Sequence, residues 1–116
     1  MVESSVDFSV IIPAYNEGQV IGPVIQRLVR HLDSLNRDYE ILVISDGSTD
    51  ETNSIVEDFG EPVRLIELPY NTGNGAAVKT GIRRASGDMI ICMDADGQHA
   101  PEDVEKFLKE CERYDM

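Results

Sequence analysis

Short apolar runs and helix-period patterns take turns along the chain. Phe8 to Pro13 (FSVIIP) is mostly apolar and of strand length, and it predicts a first buried strand. Val20, Ile21, Val24, Ile25, Leu28, Val29, Leu32 and Leu35 then recur at the spacing of one helix face. Tyr39 to Ser45 (YEILVIS) predicts a second strand, rich in branched side chains. Ser48 and Glu51 have the spacing of a capping box, which predicts a helix turning Ile55, Val56 and Phe59 inward. Val63 to Leu68 predicts a third strand, Pro69 to Gly75 a turn-rich loop, and Ala76 to Ala85 a helix. Met89 to Met93 (MIICM) predicts a fourth strand. Pro101 suits the first position of a last helix, with Glu102 and Asp103 favourable to its dipole. Val104, Phe107, Leu108 and Cys111 would be its buried stripe.

Strand followed by helix, four times over, predicts an α/β fold with a mostly parallel sheet and helices on both faces. Apolar strands support burial on both sides, since a half-exposed strand alternates with polar residues. No repeat, low-complexity tract or linker interrupts the pattern, so residues 1–116 read as a single domain. That length is near the commonest domain size and suffices for one core.

Charge narrows the partners. Ten Lys and Arg against 22 Asp and Glu give a net charge of -12, which excludes a nucleic-acid backbone as ligand. Most of these acids are solvated surface, and a few remain for a cation. Cys92 and Cys111 sit in apolar patterns without metal-ligand spacing and read as small core hydrophobes in a reducing compartment. No apolar run approaches the ~20 residues of a membrane span, and no signal sequence opens the chain. The expected location is therefore cytoplasmic.

In an open parallel sheet, ligands bind beyond the carboxyl ends of the strands, where strand order reverses. Four segments qualify: Pro13 to Glu17, Asp46 to Ser48, Asn71 to Gly75, and Asp94 to His99. Asp94 and Asp96 are the sharpest feature. Two carboxylates about 4 Å apart at an effective dielectric of ~20 repel by roughly 4 kcal/mol. A hard divalent cation, Mg2+ or Mn2+, relieves that repulsion, and magnesium is commonly held by one or two carboxylates plus substrate phosphates. The bland alternative is a solvated turn, but the position after an apolar strand favours the cation. Tyr15 suits either core packing or contact with a base. His31 reads as a surface residue, and His99 as at most a minor contact.

Competing motifs fail on particular residues. Asp94 to Glu105 has the length of a calcium loop, yet Gln98 and His99 replace a ligand and the required glycine. Val78 stands where a phosphate loop needs a glycine before Lys79, and where a dinucleotide fingerprint needs its third glycine. A nucleotidyltransferase would want a glycine-rich basic loop after the first strand, and a haloacid-dehalogenase-type phosphatase would carry its D-x-D on that first strand.

With these segments in view, the chain resembles a family 2 glycosyltransferase of the GT-A fold. The residues that carry the resemblance are SVIIPAYNE (Ser9 to Glu17), ILVISDGSTDET (Ile41 to Thr52), NTGNGAAVKTGIRRASGD (Asn71 to Asp88) and MDADGQHAPED (Met93 to Asp103). DADGQH, with GNG in the preceding loop, is most similar to the branch that glycosylates polyprenyl phosphates. The resemblance implies a Rossmann-like nucleotide-sugar-binding sheet. It also implies transfer of a sugar from a UDP- or GDP-linked donor, with inversion, to a lipid phosphate or a glycan. Pro13, Ala14, Tyr15 and Glu17 would line the nucleoside pocket, and Asp46 would fix the base. Lys79 and Ala95 would lie near the nucleotide. Asp94 and Asp96 would be catalytic, binding the diphosphate through the metal, with Gln98 a further ligand.

The family's catalytic domain is roughly twice this long, and its second half builds the acceptor site. The chain therefore reads as a truncated piece that keeps donor binding and turns over poorly or not at all. The full-length protein would work at the cytoplasmic face of the membrane. An unfinished sheet leaves an edge strand able to pair with a second copy. The alternative function is a nucleotide-binding or interaction module without chemistry.

Overall fold

The computed structural model describes residues 6–95. They form β1 (Val6–Ala14), α1 (Ile21–Asp33), β2 (Tyr39–Asp46), α2 (Thr52–Glu57), β3 (Val63–Leu68), α3 (Asn74–Arg84) and β4 (Gly87–Cys92). The strands make one parallel sheet in the order β3-β2-β1-β4. β1 to β3 step outward in one direction, and β4 then returns to the free flank of β1. Strand order thus reverses between β1 and β4. Phe8 pairs with Tyr39 and Ala14 with Ser45 on one side of β1; Val6 pairs with Gly87 and Ile11 with Cys92 on the other.

Successive side chains of a strand point to opposite faces, so each apolar strand feeds two cores. Phe8, Val10, Ile12, Ile41, Val43 and Ile91 pack with Ile21, Val24, Ile25, Leu28 and Leu32 of α1 and Val56 of α2. Ile11, Leu42, Ile44 and Ile66 pack on the other face with Ala77 of α3. Helices therefore cover both faces, as the alternation of patterns predicts. The α3 contact is unusually close because Gly81 presents only backbone. A Cβ there would lie 2.5 Å from Ile11 Cγ2 and 3.3 Å from Ile44 Cγ1.

Three expectations need correction. The capping box does not form: α2 begins at Thr52 after Glu51, with no side-chain cap. The Ser48 hydroxyl instead accepts the Asn16 N–H at 3.0 Å. α3 begins at Asn74, two residues earlier than the pattern predicts. Burial on both faces holds for β2 and for most of β1, but β3 and β4 flank the described sheet and their exposure varies along the strand. Cys92 is accordingly exposed rather than a core residue. The last helix, with Cys111, lies outside the described residues, as do Asp96, Gln98 and His99. No helix among the described residues is long and apolar enough to cross a membrane.

Candidate functional site

The loop after β1 is tied to the loop after β2 by a run of small polar side chains. Asn16 adopts a left-handed backbone (φ 52°), which asparagine tolerates. Its side-chain oxygen accepts the N–H groups of Thr49 at 2.7 Å and Asp50 at 3.2 Å. The Glu17 N–H donates to the Thr52 hydroxyl oxygen at 2.9 Å, and that hydroxyl donates in turn to Asp50. The other Asp50 oxygen accepts the Gly18 N–H at 3.0 Å. Hydrogen bonds from the Thr52 hydroxyl and N–H hold the Asp50 carboxyl below its ordinary value. Asn16, Asp50 and Thr52 escaped the sequence reading as individual residues; the signal was the density of Ser, Thr, Asn and Asp in two loops predicted to meet.

A second tie joins β2 to the loop before α3. Asp46 closes β2 and is 4% exposed. One of its oxygens accepts the Thr72 N–H at 2.8 Å and the Thr72 hydroxyl at 2.7 Å; the other accepts the Gly73 N–H at 2.8 Å. Burial alone would push this carboxyl up, but the Thr72 and Gly73 bonds outweigh it and hold it below its ordinary value. Gly47 follows with φ +78°, and a Cβ there would collide with the backbone of Tyr70 and Asn71. Only glycine lets the two loops lie this close.

These ties build one cavity. Pro13, Ala14, Tyr15, Glu17, Asp46, Asn71, Gly73 and Asn74 line a space of about 170 Å3. That is smaller than the ~300–1,000 Å3 of a pocket for a whole drug-sized ligand, so it suits one portion of a larger molecule. Tyr15 is 47% exposed and lines the cavity instead of joining the core.

Of the segments expected to converge, the first three do. The fourth begins on the strand beside them: the Met93 N–H donates to the Ile11 carbonyl at 3.0 Å. Continuing the β1–β4 register by two residues brings Asp94 level with Pro13, at the reversal of strand order. Asp94 and Met93 follow β4 with Asp94 exposed, and Ala95 is buried. Lys79 is exposed on α3 and does not line the cavity. No group of three or more His, Cys, Asp or Glu side chains gathers for a metal among the described residues. The exposed oxygen donors of Asp94 are of the kind a hard divalent cation takes.

The family model of glycosyl transferase family 2 matches residues 9–116. The chain is 34% identical over 116 residues to dodecaprenyl-phosphate galacturonate synthase of Rhizobium johnstonii, covering 97% of this chain and 34% of that protein. It is 36% identical over 120 residues to undecaprenyl-phosphate 4-deoxy-4-formamido-L-arabinose transferase of an Enterobacter species, covering 99% and 37%. The chain thus spans about a third of the length of these relatives. Among solved structures it resembles glucosyl-3-phosphoglycerate synthase from Mycobacterium tuberculosis in complex with Mn2+, UDP and glucosyl-3-phosphoglycerate. The TM-score is 0.71 at 28% identity, covering 86% of this chain and 37% of that one. A parallel sheet with its polar loops gathered at one rim, and a family match that runs from residue 9 to residue 116, make this chain a member of glycosyl transferase family 2.

Proposed function

We propose that this chain is the donor-binding part of a glycosyltransferase that moves a sugar from a nucleoside diphosphate to a polyprenyl phosphate, with inversion. The carrying observation is the cavity at the carboxyl ends of β1 and β2, beside the strand end that bears Asp94. The relatives named above act on polyprenyl phosphates, and the structural neighbour holds UDP and Mn2+, which supports both halves of the reading.

In this reading Tyr15 offers its half-exposed ring to the nucleoside, with Pro13 and Ala14 as the apolar wall and Glu17 at the rim. Asp46 acts through Thr72 and Gly73, whose positions it fixes, because both of its oxygens are already occupied. The diphosphate extends toward β4, where Asp94, Asp96 and Gln98 would hold a divalent cation. Ala95 lies between those two acids, close to the nucleotide. Lys79 does not line the cavity and would serve the nucleotide only from outside it. The cation, Mg2+ or Mn2+, supplies Lewis-acid stabilisation of the departing diphosphate. A phosphate acceptor is already anionic, so the transfer needs no strong general base. The whole protein meets this lipid acceptor at the cytoplasmic face of the membrane.

Calorimetric titration of UDP and of GDP, each with and without Mn2+, tests the proposal. One nucleotide is expected to bind at least about tenfold more tightly with metal, a gain of about 1.4 kcal/mol, and to lose that gain in Asp96→Ala. An affinity indifferent to both metal and Asp96→Ala contradicts it and leaves a nucleotide-binding module without chemistry.

A further inference from the structure

At the opposite end of β2 from Asp46, about 20 Å away along the strand, lies a second buried carboxylate. Glu40 is 5% exposed, and no part of the proposed donor site touches it. Its Oε2 accepts three hydrogen bonds: from the Ser9 hydroxyl at 2.7 Å, the Ser86 N–H at 2.7 Å and the Ser86 hydroxyl at 3.0 Å. Ser9 gives its single proton to Glu40, so its oxygen is left to accept the Gly87 N–H at 2.8 Å. Arg64 of β3 reaches the other oxygen, Oε1, at 3.3 Å. One carboxylate on β2 thus holds β1 and the first residues of β4 at a fixed offset.

β4 needs such a device. Register is ordinarily set by an apolar face and a polar face, so that a one-residue slip is costly. Met89 to Met93 is apolar at every position, and Ile90 is 36% exposed while Ile91 is 7% exposed. Either face could be turned inward at small cost in apolar burial. Among the described residues β4 pairs with β1 alone. A slip of one residue would carry Asp94 about 3.3 Å along the strand and turn it to the other face. At Gly87 the fit to β1 is close, with room for no Cβ against the backbone of Phe8 and Ser9.

We propose that Glu40, through Ser9 and Ser86, is the register lock of β4 and so a positioning residue for Asp94 at the far end of that strand. The metal-site consequence rests on the donor-site reading above; the lock itself does not. Its distinguishing feature is polarity: the bonds on Oε2 govern β4, whereas Arg64 on Oε1 ties β2 to β3.

Amide hydrogen exchange of the 116-residue chain, read residue by residue by NMR, tests the lock in Glu40→Gln, Ser86→Ala and Arg64→Ala. Ser86 is exposed, so its truncation leaves the cores intact even should Glu40→Gln unfold the chain. In Ser86→Ala the amides from Met89 to Met93 are expected to exchange at least about tenfold faster, with those of β2 unchanged, because the hydroxyl's hydrogen bond to a charged acceptor is lost. Arg64→Ala should leave the β4 amides within about twofold of wild type, as Arg64 is half-exposed and reaches the other carboxylate oxygen. In parallel, Ser86→Ala should weaken UDP binding about tenfold with Mn2+ present and leave metal-free binding within about twofold. Uniform acceleration across all strands, or β4 rates equal to wild type in Ser86→Ala, overturns the lock. A wild-type chain that gains nothing from Mn2+ defeats the donor-site reading alone, and the exchange rates still decide on Glu40.

Discussion

Replacing Asp46 by asparagine separates a residue that shapes the cavity from one that touches the base. In the native chain one oxygen accepts two bonds from Thr72 and the other accepts the Gly73 N–H, all within 2.8 Å. Asparagine can keep the Thr72 pair on its single oxygen, but its amide nitrogen then faces the Gly73 N–H, donor against donor. One charge-assisted bond is lost outright, worth about 1.5–3 kcal/mol, and the two that remain lose their charge. For a chain of this size about 2.5 kcal/mol corresponds to a fall in Tm on the order of 10 °C. Thermal denaturation of Asp46→Asn beside UDP titration measures both effects. The companion variant Thr72→Val removes the hydroxyl bond and keeps the carboxylate with its two backbone N–H donors. If Asp46 works by holding the loop, both variants lower Tm and both weaken UDP. Should Asp46→Asn abolish UDP binding at unchanged Tm while Thr72→Val binds normally, the loop-holding role is refuted.

Two further outcomes follow from the same geometry. Gly81→Ala ordinarily gains about 1 kcal/mol inside a helix, but here the new Cβ meets Ile11 and Ile44, both fully buried, so a net loss of about 1–2 kcal/mol in urea denaturation is expected; added stability would show that α3 is free to lift. Asp46 and Glu40 both titrate below their ordinary values of 3.8 and 4.5 in the folded chain, so their stabilisation is complete above those values and is lost as pH falls through the lower folded ones. The urea midpoint should therefore hold from neutral pH to about 5 and fall at more acid pH, with a shallower acid limb in Ser86→Ala, which takes the hydroxyl donor from Glu40 and keeps the N–H; an acid limb identical to wild type contradicts the assignment of Glu40.

The strands were legible because their apolar runs match the strand period and length; β3 follows its pattern to the residue, and β2 runs one residue past it to Asp46. What misled was side-chain chemistry with more than one outlet. Ser48 and Glu51 have the spacing of a cap, yet the Ser48 oxygen meets Asn16 from a loop 32 residues away. A local rule cannot see that competitor. MIICM gives no hint that one of its faces is open, since apolar content alone does not say what covers a strand. Cys92 was misjudged for the same reason. Asp46 was found as a strand-end acid, but its commitment to Thr72 and Gly73 depends on α3 starting at Asn74. Glu40 was hidden by its place inside YEILVIS, where one acid in an apolar run reads as an exposed edge residue. Its three donors lie 31 and 46 residues away in sequence.

Convergence of the four loops on one rim is tested most directly by paramagnetic broadening of backbone amides on adding Mn2+ with UDP. Amides of residues 14–17, 46–48, 72–74 and 94–96 should broaden together at substoichiometric metal, while Asp7, Ser86 and Gly87 at the far end of the sheet stay sharp. Broadening scattered over the acidic surface, or centred away from Asp94 and Tyr15, would contradict a shared metal and nucleotide site.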